Sequence, residues 1–353
     1  MIRYLKETEK YKSRELWEEA FPEDSKSFDD YYFDKKLKDN RILVLEDWDE
    51  YGAGNERRID SMIQLNPYLV QVRSRRWRVD YLVGVATRKD RRHRGYMRRL
   101  LMRMMADMRD EEMPFCFLMP ADEAIYRPFG FTYIFRQPRL KLKEDAVLER
   151  RSLMDGRDSG SIRRWLPGIG QWMNQWLAKR YQVFAVRDEA YLSRLMDELA
   201  SENGSLDVLY DGEALVGFHS EWGVKEREQR LLYCQEAYTE PASEAKPAIM
   251  ARIISPEIFA RAVRLGDQVP EDEKVIVLQL LDPLIPENQG IWEWHLSHEM
   301  SWMEKRDDGA AAELTLRIEE LTGWLFGYEV PEAAKPYEQM VDVLNGVFLD
   351  EIV

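Results

Sequence analysis

The sequence predicts a mixed α/β (α+β) protein of several domains, on three observations. Its 353 residues exceed what one hydrophobic core usually supports, and about 150 residues per domain gives two or three. Over the first 140 or so residues the apolar spacing switches between a period of 2 and a period of about 3.6, as strands and helices alternate along one chain. Past that point the texture changes twice, at the charged, turn-rich LERRSLMDGRDSG and again near residue 245.

The elements follow in order. ETEKYKSRELWEEAF and SFDDYYFDKKL read as helices, RILVLEDW as a strand, and SMIQLNPYLVQVR with RWRVDYLVGVATR as a pair of long neighbouring strands. In the second of these Val79, Tyr81, Val83 and Val85 alternate, so one face is core. Met97, Leu100, Leu101, Met104, Met105 and Met108 then fall at helical spacing, with Arg98, Arg99, Arg103 and Asp107 opposite, which predicts an amphipathic helix whose methionines pack the core. It ends before Pro114; MPFCFLMP reads as a buried strand, DEAIYRPFGF as a short segment and TYIFRQPRLKLK as a last strand. The expected domains are 1–140, 141–245 and 246–353. The second contains IRRWLPGIGQWMNQWLAKRY, the helical AYLSRLMDELAS and a hairpin about Asp211-Gly212. The third contains KPAIMARIISPEIFARAV, expected to contribute a helix, the strands KVIVLQLLD and IWEWHLSHEM, and the tail ending FLDEIV.

Composition bounds the function. Apolar residues make up 45% and charged residues 33%, the balance of a soluble globular protein. Against 51 basic residues stand 65 acidic ones, and the net charge of -14 disfavours nucleic acid and anionic membranes while attracting cationic amines. MIRYLKETEK lacks the apolar run of a signal peptide, so a cytoplasmic location is expected. Cys116 and Cys234 sit in apolar strand-like runs and read as buried, reduced thiols.

The most informative stretch is VGVATRKDRRHRGYMRRLLMRMM. Eight of the sixteen residues from Arg88 to Arg103 are Arg or Lys and one is acidic, in a chain that is acidic as a whole. A strand passing through such a turn into a helix offers free N–H groups, the positive end of a dipole and, at Gly95, close backbone approach: a pyrophosphate site. Neither G-x-x-x-x-G-K-[ST] nor G-x-G-x-x-G is present, which leaves coenzyme A as the remaining common ligand.

Arg92-x-x-Gly95-x-Met97 after Val85-Ala86-Thr87 resembles the Q/R-x-x-G-x-G/A signature of the GNAT superfamily of N-acetyltransferases, although Met97 replaces the usual small third residue. With AIYRPFGF, KPAIMARI, DPLIPENQGIWEW and the end at FLDEIV, the whole chain resembles the Eis (enhanced intracellular survival) acetyltransferases. That resemblance implies an N-terminal GNAT domain, a central GNAT-like domain without cofactor and a C-terminal sterol-carrier-protein-like domain. It implies that acetyl-CoA lies along Val85, Ala86 and Thr87, with Arg92, His93, Arg94, Gly95, Tyr96, Met97 and Arg98 around its pyrophosphate. It further implies Tyr126 as general acid, the terminal carboxylate of Val353 as general base, an aminoglycoside, polyamine or lysine side chain as acceptor, and a trimer or hexamer.

Plainer readings stand beside these. Tyr126 can be a core aromatic, His93 a solvent-facing residue, and Asp122 and Glu123 a helix cap or a support for the amine side. His295 and His298, three apart on a strand, should face opposite ways, and no metal is expected. The rival function is a non-catalytic acyl-CoA- or lipid-binding protein.

Overall fold

The computed structural model describes residues 1–48, 57–156, 164–306 and 311–351. In chain order the first part runs β1 (Ile2–Tyr4), α1 (Arg14–Ala20), α2 (Lys26–Asp34), β2 (Arg41–Trp48), β3 (Arg57–Val72), β4 (Arg75–Thr87), α3 (Tyr96–Asp110), β5 (Phe115–Leu118), α4 (Glu123–Tyr126) and β6 (Thr132–Leu142). Only β1 was not legible as an element. The middle part is β7 (Glu149–Ser152), α5 (Leu166–Ala178), β8 (Val183–Ala185), α6 (Glu189–Ser201), β9 (Ser205–Asp211), β10 (Ala214–Trp222), β11 (Glu228–Cys234) and β12 (Thr239–Ile253). The last part is α7 (Pro256–Phe259), β13 (Arg264–Leu265), β14 (Glu273–Leu281), β15 (Gly290–Ser297), β16 (Trp302–Arg306), β17 (Leu314–Arg317), α8 (Ile318–Leu325), β18 (Val341–Asp342) and β19 (Val347–Phe348).

The largest sheet has the order β1-β2-β3-β4-β5-β12-β6, with β8 pairing the far end of β3 and carrying β19 on its other edge. Its neighbours are antiparallel except for β4 with β5 and β8 with β19. Helix α3 packs on this sheet as its apolar spacing dictates: Leu100, Leu101, Met104, Met105 and Met108 are fully buried. Cys116 and Cys234 are free and buried.

Two features shape the site. A bulge interrupts β4: Met62 on β3 faces Ala86 while Gln64 faces Val83, so β4 carries one residue more than its partner, next to Gly84 at φ 58. A Cβ there would lie 2.6 Å from Trp17 Cζ3, so the position needs glycine for both conformation and space. Gly84→Ala should therefore cost about 2–5 kcal/mol, the sum of a left-handed backbone and an overpacked ring. Urea denaturation measures it, and a loss under about 1 kcal/mol would show that the bulge relaxes.

The second feature is β12. KPAIMARI is a strand, and the helix expected of KPAIMARIISPEIFARAV is the short α7 at Pro256–Phe259; Ile249 to Ile253 are buried on both faces, and such a continuous apolar run has no period that separates strand from helix. This strand enters the largest sheet between β5 and β6, so the expected boundary at 245/246 falls inside a single element. Its Arg252, fully buried, donates to Asp282 at 2.6 and 2.8 Å and ties that sheet to the last part of the chain. There β16-β15-β14-β17 form a sheet whose inner face, with Trp292, Trp294 and Leu278, packs against α8 through Trp324. Among the described residues no helix is long and apolar enough to cross a membrane.

Candidate active site

Strand β5 follows β4 only at Tyr81↔Phe117 and Leu82↔Leu118. From Val83 to Thr87, β4 has β3 on one side and, among the described residues, no strand on the other, which opens main-chain groups of Val85, Ala86 and Thr87. Beyond Thr87 the chain makes a tight turn with His93 at φ 61 and Gly95 at φ 74, the latter capping α3. Helix α3 has no acid in its first turn, and the N–H groups of Tyr96, Met97 and Arg98 precede its first intrahelical bond, Arg99 to the Gly95 carbonyl at 3.1 Å.

The structure divides the basic run. Arg88 is buried and pairs with Glu15 and Glu19 at 2.8 Å each, and Arg91, also buried, lies against Asp60. Those two build the turn. Arg92, His93, Arg94 and Arg98 are exposed around it, and Arg98 also stacks over Phe129 at 5.8 Å. Tyr96 and Met97 are half-buried against the core, which accounts for a bulky residue at the third signature position. Free N–H groups beside exposed arginines fit a pyrophosphate.

Tyr126 ends α4, which Asp122 caps by accepting from Ala124 N at 2.9 Å, while Glu123 pairs with Arg127. Both acids therefore serve the local turn. The Tyr126 ring is buried and burial pushes its hydroxyl up to about 12. Just beyond, Gly130 at φ 74 lies over Arg252, whose Nη1 would be 2.0 Å from a Cβ.

The tail reaches the same region. Val353 lies outside the described residues, but Asp350 and Glu351 are 5% and 2% exposed. Arg187, itself 1% exposed, donates to Asp350 at 2.8 Å and Glu351 at 2.7 Å. Tyr191 donates to Glu351 at 2.8 Å, and Tyr233 lies between Arg187 and Asp350. Burial raises the Asp350 carboxyl and Arg187 opposes it. Tyr81 connects the tail with the acid candidate: its hydroxyl is pushed up first by burial, then by the Glu351 charge, and also by Tyr126. Beside it, Lys36 donates to the Tyr68 hydroxyl at 3.1 Å, and burial draws its ammonium down to about 8.

A cleft of about 330 Å³ lies between the α1–α2 loop and the β10–β11 loop, lined by Glu23, Asp24, Glu202, Glu226 and Glu228 with Phe28 and Trp222. Asp24 accepts from Trp17 Nε1 at 2.9 Å, the same ring that fills the β4 bulge. From Trp222, Arg230 stacks at 5.3 Å and donates to the Asp350 carbonyl at 3.2 Å. Burial, then the nearby Asp29, Glu23 and Glu202, hold Asp24 up at about 6 against its Trp17 hydrogen bond. Arg187, Tyr191 and Lys36 carry no local signal, since their partners Glu351 and Tyr68 lie far along the chain, and Asp24 and Trp17, seven residues apart, sit in no motif that marks them.

His295 does not act with His298, which is exposed past the end of β15. Its Nδ1 is hydrogen-bonded to the Glu273 carboxylate at 2.7 Å, and its ring stacks on Trp302 at 3.7 Å. Glu293 and Glu304 lie nearby, and Glu293 is paired with Arg306.

A model of the GNAT acetyltransferase domain matches residues 1–134, and one of the sterol carrier protein domain matches residues 259–345. A search of curated proteins finds no match. Among solved structures, a probable N-acyltransferase from Enterococcus faecalis is 19% identical, with 98% of this chain and 93% of that one covered and a TM-score of 0.71. A GCN5-related N-acetyltransferase from Anabaena variabilis gives 14%, 97%, 94% and 0.70, and Eis1 from Mycobacterium abscessus 11%, 100%, 100% and 0.68. At such identities the likeness is one of fold.

Proposed function

We infer that this chain, which carries a GNAT acetyltransferase domain over 1–134 and a sterol carrier protein domain over 259–345, moves an acetyl group from acetyl-CoA to a primary amine of a cationic multi-amine substrate. An aminoglycoside, a polyamine or a lysine side chain has the required chemistry. The observation that carries this reading is the cleft of five carboxylates, joined to the β4 bulge through Asp24 and Trp17.

In this reading acetyl-CoA supplies the thioester, lying along Val85, Ala86 and Thr87 with its pyrophosphate at the Arg92–Arg98 turn. An amine at pH 7 is protonated and unreactive until a base takes its proton. The terminal carboxylate of Val353 is the proposed base, a role supported by the anchoring of Asp350 and Glu351 on Arg187 just before it. As nitrogen bonds to the acetyl carbon and the carbon–sulfur bond breaks, the Tyr126 hydroxyl gives its proton to the departing sulfur. A hydroxyl held up at about 12 stays protonated and available throughout the working range. The proposed assembly is a homo-oligomer, trimer or hexamer, in the cytoplasm; light scattering counts its subunits.

Thiol release from acetyl-CoA, run against aminoglycosides, polyamines and lysine peptides, tests the reading. Release that depends on a multi-amine and saturates is expected. No release with any amine, together with tight binding of a fatty acid, would move the function to acyl-CoA or lipid binding.

The cleft also gives a pH dependence. Asp24 is neutral below about 6 and anionic above it, so KM for a polycationic amine should fall as pH rises through about 6. Asp24→Asn should raise KM above that pH and flatten the change. An unchanged profile in this variant would remove Asp24 from amine binding.

A further inference from the structure

A larger cleft, of about 980 Å³, lies at the opposite end of β4 from the pyrophosphate turn, some ~40 Å of strand away at about 3.3 Å per residue. Three separate parts of the chain form it: the β3–β4 turn, helix α5 with β8, and the β13–β18 pair.

Its charge is unusual for a protein of net charge -14. Arg73, Arg76 and Arg264 line one end with a single carboxylate, Asp342. Arg73 takes that carboxylate at 2.8 Å and also donates to the Asp342 and Val343 carbonyls. Arg264 donates only to the carbonyls of Arg261 and Val263, and Arg76 only to the Gln71 side-chain oxygen, among the described residues. Arg75, just behind, donates to the Arg261 carbonyl. Carbonyl oxygens satisfy donors without cancelling charge, so this end holds an excess of positive charge. Its effect is visible at Arg264, whose guanidinium is drawn down by burial and then by Arg73 and Arg75. At the far end, Asp188 is committed to capping α6, accepting from Tyr191 N at 2.7 Å, and Glu189 stands beside it. Between the two ends the wall offers side-chain amides from α5 and the rings of Tyr181 and Phe184.

Guanidiniums without carboxylates are rarely gathered unless something anionic joins them, because planar forks match carboxylate and phosphate oxygens. We propose that this cleft is a second ligand site, which binds a small organic polyanion with its carboxylate or phosphate groups on Arg76 and Arg264 and its body against Tyr181 and Phe184. It is distinct from the pyrophosphate turn and independent of the acceptor chemistry.

The test is calorimetric titration of citrate and of inorganic pyrophosphate into the full chain saturated with coenzyme A, so that the turn at Arg92–Arg98 is already occupied. Binding of either anion is expected; citrate alone assigns carboxylates, pyrophosphate alone assigns phosphates. Arg76→Glu, at an exposed residue, should weaken binding at least about tenfold, and Arg76→Glu with Arg264→Glu should abolish it, while turnover of acetyl-CoA persists. Absence of binding by both anions, or binding unchanged in Arg76→Glu, overturns the proposal.

Discussion

Replacing Tyr126 by phenylalanine is expected to lower kcat about 10²–10⁴-fold, the usual worth of a positioned general acid, while KM for acetyl-CoA stays nearly constant. The ring stays in its buried place against Phe131 and only the hydroxyl is lost, so the fold should be unaffected. Among the described residues, burial is what sets this hydroxyl at about 12. The pH profile of the wild type should accordingly show no alkaline limb from this group below about 12. Turnover of the variant within about twofold of wild type would reduce Tyr126 to a core aromatic and leave the leaving sulfur to take its proton from water.

Arg187→Met should have the largest effect on stability, about 3–5 kcal/mol, because it strands two buried carboxylates in place. The sign of its pH dependence follows. Burial already raises Asp350 above its ordinary value, and loss of the guanidinium raises it further. The folded variant then holds protons that the unfolded chain releases, so its stability improves as pH falls through the carboxylate range, and the deficit relative to wild type shrinks. Arg187→Lys keeps the charge and should recover part of the loss. Chemical denaturation at several pH values measures all three, and a pH-independent deficit would mean that packing and not charge is what Arg187 supplies. Because the tail is held by this residue, kcat should fall in Arg187→Met even where the protein is fully folded.

The sequence was most informative where one segment determines its own structure. The α3 stripe from Leu100 to Met108, the strand Arg41–Trp48, the β3–β4 pair and the Gly95 turn all follow from local period and local conformational need. Groups that meet through distant pairing left no local trace. Arg187 finds Asp350 and Glu351 across more than 160 positions, and a lone arginine in VRDEA carries no sign of it. Arg88 and Arg91 show the converse: they look like part of a phosphate site and instead pair with Glu15, Glu19 and Asp60, because helix α1 and strand β3 return beside the turn. KPAIMARI was unreadable for a different reason, since a strand buried on both faces has no alternation to betray it.

That same strand bears on how the protein comes into being. When synthesis has passed Leu142, β5 and β6 both exist, but their shared neighbour, β12, ends only at Ile253. At about 5–20 residues per second the ribosome needs on the order of 10 s to make the missing strand. Throughout that interval the nascent chain exposes two unpaired strand edges to any other chain nearby, so its maturation invites chaperone attention. Gene fragments that stop after the first 140 or so residues should likewise yield aggregates, and a fusion partner belongs at the N-terminus, which leaves the Val353 carboxylate free, and not before β12.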